Sequence, residues 1–215
     1  MKKLIIYCLF LLLLFPPLYA MEGTGFAFRA NLSGKIYKRL SFFIEEDTRF
    51  RSDFRAEWFL TTAEVNYRIL PNYLLGGAGY MSFIQYKGIK DIRHRYYLYF
   101  TGSYNWGNFK VSIRERFQST YTKGKSGSSN ALRSRLKLSY KIGTSKFEPY
   151  FYIEPFNNTK KNMHTDKIRY SAGCTYQIDT HNSIELYYRY HTFSKGYYDT
   201  VNHRNGISIG YSFKF

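Results

Sequence analysis

GISIGYSFKF, residues 206–215, is the stretch whose reading decides the fold. Ile207, Ile209, Tyr211, Phe213 and Phe215 fall at every second position, with Gly206, Ser208, Gly210, Ser212 and Lys214 between them. Successive side chains of a strand point to opposite sides, so this segment has one greasy face and one polar face.

The same split recurs upstream. Ile184, Leu186, Tyr188 and Tyr190 alternate with Glu185, Tyr187, Arg189 and His191. Leu132, Leu136, Leu138 and Tyr140 alternate with Arg133, Arg135, Lys137 and Ser139. Phe109, Val111, Ile113 and Phe117 alternate with Lys110, Ser112, Arg114 and Arg116, and Phe26, Phe28, Ala30 and Leu32 with Arg29, Asn31 and Ser33. Such period-two runs predict strands, and no stretch beyond the N-terminus is long and apolar enough for a spanning helix.

Composition narrows the class further. Aromatic residues make up 20% of the 215 residues, with 23 Tyr and 19 Phe. Membrane barrels use such rings at both bilayer interfaces, and only every second strand residue faces lipid, so the average polarity stays that of a soluble protein. The expected fold is all-β: a membrane-spanning, antiparallel up-and-down barrel of 10–12 strands over residues 21–215. Alternating stretches number eleven, where an even number is expected if both termini lie in the periplasm. The run 74–84, with Gly76, Gly77 and Gly79, is the least regular; glycine there marks a bend or a close approach in the wall.

The N-terminus reads as a secretory signal peptide, residues 1–20. Lys2 and Lys3 precede an apolar run over 4–15, Pro16 and Pro17 break it, and Ala20 supplies a small residue for cleavage. Without those two lysines the formal charge falls from +17 to +15. A secreted chain does not meet nucleic acid, so this charge points to anionic lipid, lipopolysaccharide or small anionic solutes. Only Cys174 remains after cleavage, which excludes an internal disulfide framework. The expected location is the outer membrane of a Gram-negative bacterium. A terminal aromatic strand with Tyr211, Phe213 and Phe215 in phase resembles the signal through which the barrel assembly machinery recognises its substrates.

Connections are expected to alternate between short turns at 37–39, 70–72, 105–108, 143–145 and 179–182 and longer loops at 52–55, 87–93, 122–131, 157–166 and 195–203. Two carboxylates, Glu46 and Glu115, fall in phase with the lipid face; a bulge or a place near the interface would relieve each.

Several segments together resemble the outer-membrane family known as domain of unknown function 2490. They are KRLSFFIEEDTRF from Lys38, RHRYYLYFTGSY from Arg93, FKVSIRERFQSTY from Phe109, LRSRLKLSYKI from Leu132 and DKIRYSAGCTYQI from Asp166, with YYRYH at Tyr187 and the final YSFKF. The resemblance covers roughly residues 35 to 215. It implies a barrel fold and an outer-membrane location, and it carries over no reaction and no catalytic residue.

Chemistry is expected on the polar face of the strands. Its basic cluster is Arg114, Arg116, Arg133, Arg135, Lys137, Arg169 and Arg189; its acidic partners are Glu45, Asp47, Glu64, Glu148, Glu154 and Glu185. Arg114 and Arg116 should face Arg133, Arg135 and Lys137 across one hairpin, where like charges repel unless something intervenes. Two readings follow: a narrow anion-preferring porin, in which Tyr97, Tyr99, Tyr150, Tyr152 and Tyr187 stack on sugars, or a structural barrel plugged by Arg–Glu networks. No cofactor is expected. The alternative class is a lipid-acting enzyme of lipase or deacylase type. Its His-x-Ser pair would be His181 and Ser183, yet these sit at a short, periplasmic turn with Ser183 in phase with Glu185. Both facts are wrong for an outer-leaflet lipase, so no enzyme is expected.

Overall fold

A computed structural model describes residues 24–87, 89–194 and 203–215. The expected leader, residues 1–20, lies outside them, as does most of the expected loop 195–203. Eleven strands follow in chain order: β1 (Thr24–Tyr37), β2 (Leu40–Phe50), β3 (Ala56–Leu70), β4 (Leu74–Lys87), β5 (Ile89–Trp106), β6 (Phe109–Thr122), β7 (Ser128–Tyr140), β8 (Phe147–Asn158), β9 (His164–Gln177), β10 (Asn182–Phe193) and β11 (His203–Lys214).

Each strand pairs with its sequence neighbour, and β11 closes the sheet onto β1. With an odd number, that last pair has to run parallel: Phe26 lies beside Ile207 and Leu32 beside Phe213. The even-number expectation therefore does not hold. Closure itself is what matters in lipid, because it leaves no sheet edge whose N–H and C=O groups lack partners.

The alternation sorts the two faces as the sequence implies. Phe28, Val65, Leu98, Phe100, Ile113, Leu136, Phe151, Leu186 and Ile209 stand exposed on the outside. Tyr97, Tyr99, Arg116, Arg133, Tyr150, Tyr152, Glu154 and Tyr187 are buried within. At the end carrying the β1–β2, β3–β4, β5–β6, β7–β8 and β9–β10 connections, here the turn end, Trp106, Phe109 and Tyr140 form a run of ring contacts, and Phe147 packs on Tyr176. This is the aromatic girdle of a bilayer interface.

Gly107 opens the two-residue turn between β5 and β6 with φ +57°, a conformation that costs glycine nothing. At the opposite end the loops expected at 87–93, 122–131 and 157–166 are shorter than that, whereas the one at 52–55 is present. The stretch 87–93 is the clearest correction: β4 runs to Lys87 and β5 starts at Ile89, with Gln85 beside Asp91. Paired strands satisfy the backbone even where the side chains are those of a loop.

No bulge relieves Glu46 or Glu115. Both face outward in unbroken register, Glu46 between Ala30 and Thr61, Glu115 between Phe100 and Ser134. Each instead accepts a hydrogen bond from a hydroxyl on the next strand, from Thr61 Oγ1 at 3.0 Å and from Ser134 Oγ at 2.7 Å.

Candidate functional site in the lumen

The lumen has two unlike walls. On β6–β9 the register sets Arg114 beside Arg135 and Arg116 beside Arg133, as the hairpin pattern requires; Lys137 faces Ser112 instead. Glu154 on β8 is what intervenes. Its side chain is fully buried and accepts from Arg133 Nη2 at 2.8 Å, Arg135 Nε at 3.1 Å, Arg169 Nη1 at 3.1 Å and Arg114 Nη2 at 3.3 Å. One carboxylate thus holds four guanidinium groups from β6, β7 and β9. Arg169 also donates through Nε to His191 Nε2 at 2.9 Å.

On β1–β3, β10 and β11 the charges pair more evenly. Arg29 bonds both Glu45, at 3.4 Å, and Glu185. Arg49 holds Asp47 at 2.6 Å. Glu64 accepts from Tyr97 at 2.6 Å and Tyr99 at 2.8 Å, and Glu185 from Tyr150 at 2.6 Å. Arg189 donates to the Tyr187 hydroxyl. Glu148, expected among the acidic partners, is exposed near the turn end beside Thr175 and, among the described residues, forms no ion pair.

Glycines decide where the tyrosines lie. Gly77 and Gly79 on β4 are the register partners of Tyr99 and Tyr97 on β5. A Cβ on Gly77 would come within 2.5 Å of the Tyr99 ring, and one on Gly79 would run into the Tyr97 ring. Gly173 leaves the same kind of space beside Tyr187 and Tyr150. The irregular Gly-rich run therefore marks a close approach: each ring folds flat onto the wall instead of crossing the lumen. The inner ring faces carry cations, with Arg116 3.3 Å from the Tyr97 centroid, Lys137 3.9 Å from Tyr150, Arg135 4.5 Å from Tyr152 and Arg29 4.4 Å from Tyr187. Stacking of these tyrosines on sugar rings, as the sequence suggests, is thus blocked by their own cations. What the lumen displays is charge layered on rings, a favourable arrangement in a desolvated setting.

One cavity of about 1480 Å³ runs between these walls. Lys38, Arg39, Lys214 and Phe215 line it at the turn end, Arg51, Glu57 and Arg204 at the loop end, and Arg114, Arg116, Arg133, Arg135, Lys137, Lys167, Arg169 and Arg189 between. Lys167 and Arg93 line it too, and both escape the sequence reading because they fall in or beside expected loops. The signal was present: Lys167 is two positions before Arg169, and Arg93 two before Arg95, so each shares its neighbour's face.

A family model described as Protein of unknown function (DUF2490) matches residues 25–202. The chain belongs to that family. No curated protein matches the sequence at a significant level. Among solved structures, this DUF2490 barrel is similar to the NanC porin, with TM-score 0.59 and 16% identity over 88% of this chain and 97% of that one. It is also similar to LpxR from Salmonella typhimurium, with TM-score 0.54 and 11% identity over 86% of this chain and 87% of that one. At such identities the likeness is one of fold, that of outer-membrane barrels.

Proposed function

We propose that this DUF2490 protein is a non-enzymatic channel of the Gram-negative outer membrane, with a basic lumen that prefers anions. The observation that carries the reading is the cavity, which is lined by residues of both barrel ends and has one wall crowded with cations. In a narrow pore with low-dielectric walls the field of such a wall is focused, so it raises the local concentration of anions and repels cations. The Arg–Glu154 network, which could have plugged the lumen, lies along one wall and leaves this space free. Outer-membrane lipid and lipopolysaccharide are the proposed surroundings, and Tyr211, Phe213 and Phe215 the proposed contact with the assembly machinery. As for the lipid-hydrolysis alternative, the His181 ring stacks on Phe213 and its Nδ1 pairs with the Thr180 hydroxyl at the β9–β10 turn, and among the described residues no hydrogen bond joins it to Ser183. Reconstitution in planar bilayers under a KCl gradient tests the proposal. A reversal potential of the sign for chloride is expected; a silent or cation-selective membrane rejects it.

A further inference from the structure

We propose that the basic wall holds a built site for one external oxyanion, the carboxylate or phosphate group of a small solute, at Arg116, Arg133 and Lys167. The inference rests on the channel reading and names what that channel binds. Two neighbouring rungs of the wall make the case. On the first, Arg114, Arg135, Glu154 and Arg169 lie side by side, and Glu154 supplies the anion. On the second, two residues further along each strand, stand Arg116, Arg133, Phe156 and Lys167. Phe156 occupies the place of the carboxylate, with Arg133 and Lys167 over its ring and Arg116 stacked on Tyr97 beside them.

Among the described residues Arg116 and Lys167 have no counter-charge, and Arg133 shares Glu154 with Arg114, Arg135 and Arg169. Arg133 lends Nη2 to Glu154 and Nη1 to Gln118, but its Nε has no acceptor. Arg116, only 4% exposed, has no acceptor for Nε or Nη2. Those two N–H groups point the same way and form the side-on fork that a pair of carboxylate or phosphate oxygens matches. Lys167 Nζ and the Arg133 guanidinium stand 4.1 and 4.2 Å from the Phe156 centroid. Among the described residues no carboxylate lies within ion-pair distance of Arg116 or Lys167. Buried donors without acceptors are costly, and an anion from the cavity, which all three residues line, removes that cost. An entering anion meets Lys167 and Arg133 over the Phe156 ring and the Arg116 fork over Tyr97 beside it. Glu154, one rung away, already shows the binding mode with an internal carboxylate. Because the neighbouring ring faces are covered, recognition is by charge and not by stacking, so a neutral sugar gains nothing.

The test is calorimetric titration of the full mature chain, refolded in a zwitterionic amine-oxide detergent at low salt, with sodium glucuronate, inorganic phosphate and glucose. At least one of the two anions is expected to bind saturably and glucose not at all; the better anion tells carboxylate from phosphate. Arg116→Gln and Lys167→Gln are each expected to weaken binding about tenfold, the worth of one charge-assisted contact, while Lys161→Gln in a loop leaves it unchanged. Heat-modifiable gel migration verifies folding, and Arg116→Lys, which keeps charge but removes the fork, stands in if the Gln variant does not fold. No saturable heat with either anion, or affinities within about twofold of the parent in the Arg116 and Lys167 variants, overturns the site. Binding without conductance would keep the site and reject the channel; conductance without binding would do the reverse.

Discussion

The two walls of the lumen use the same residue types to opposite effect. On β1–β3, β10 and β11 the interior arginines Arg29, Arg49 and Arg189 each have a carboxylate or a phenol close by, as Arg49 has Asp47 and Arg29 has Glu45 and Glu185. On β6–β9 Glu154 serves Arg114, Arg133, Arg135 and Arg169 together, and Arg116 and Lys167 are left over. On the first wall the charge is spread over separate small contacts, so no single residue anchors it. The second stores an excess of positive charge against a single anchor, so it is fragile at one residue.

That contrast can be broken most directly at Glu154. Glu154→Gln strands four guanidinium groups, that of Arg133 buried and the other three half-buried, and is expected to cost about 3–5 kcal/mol, read as a lower urea midpoint of refolded protein; a loss under about 1 kcal/mol would mean the wall is wet enough to do without its anchor. Next, Gly79→Ala pushes against the Tyr97 ring and should cost about 1–3 kcal/mol, while narrowing the pore and lowering single-channel current; an unchanged current would show that the ring yields along the wall. Glu64→Gln, on the paired wall, removes one of two acceptors for Tyr97 and Tyr99 and should cost only about 1–2 kcal/mol. If it equals Glu154→Gln, the difference between the walls is not energetic.

The smallest effect is expected outside the membrane. At the β9–β10 turn the backbone N–H of His181, the side-chain amide of Asn182 and its backbone N–H hold the Asp179 carboxyl below its usual value near 3.8. A depressed carboxylate stabilises the fold above its unfolded pKa, and the contribution fades as pH falls through the lower, folded value. Asp179→Asn should therefore lower the thermal midpoint slightly at neutral pH and converge with the parent in strong acid. Parallel curves at all pH values would assign the effect to the loss of turn geometry alone.

Facing was legible in the sequence; pairing was not. Period two assigns Arg116, Arg133, Glu154 and Tyr97 to the interior, because the pleat leaves no alternative once one face is greasy. It does not say that Glu154 reaches across β7 to Arg114 on β6, which depends on how a closed wall curves its side chains inward. Lys87, Gly88, Lys90 and Asp91 have loop-like chemistry, so 87–93 reads as a loop, whereas a ladder needs only backbone N–H and C=O groups in register. Period two turns the tyrosines inward, but the cations that cover Tyr97, Tyr150, Tyr152 and Tyr187 come from other strands, which no single segment shows.

The parallel pairing of β1 with β11 has a consequence for anyone who rewires the chain. The two strands travel the same way, so the end of β11 and the start of β1 sit at opposite mouths. Joining them with a tight turn, the usual route to circular permutation of an even-stranded barrel, is not open. A linker would have to run back along the whole wall, a distance of about 40 Å for the 12 residues of β11, through the pore or across the lipid face.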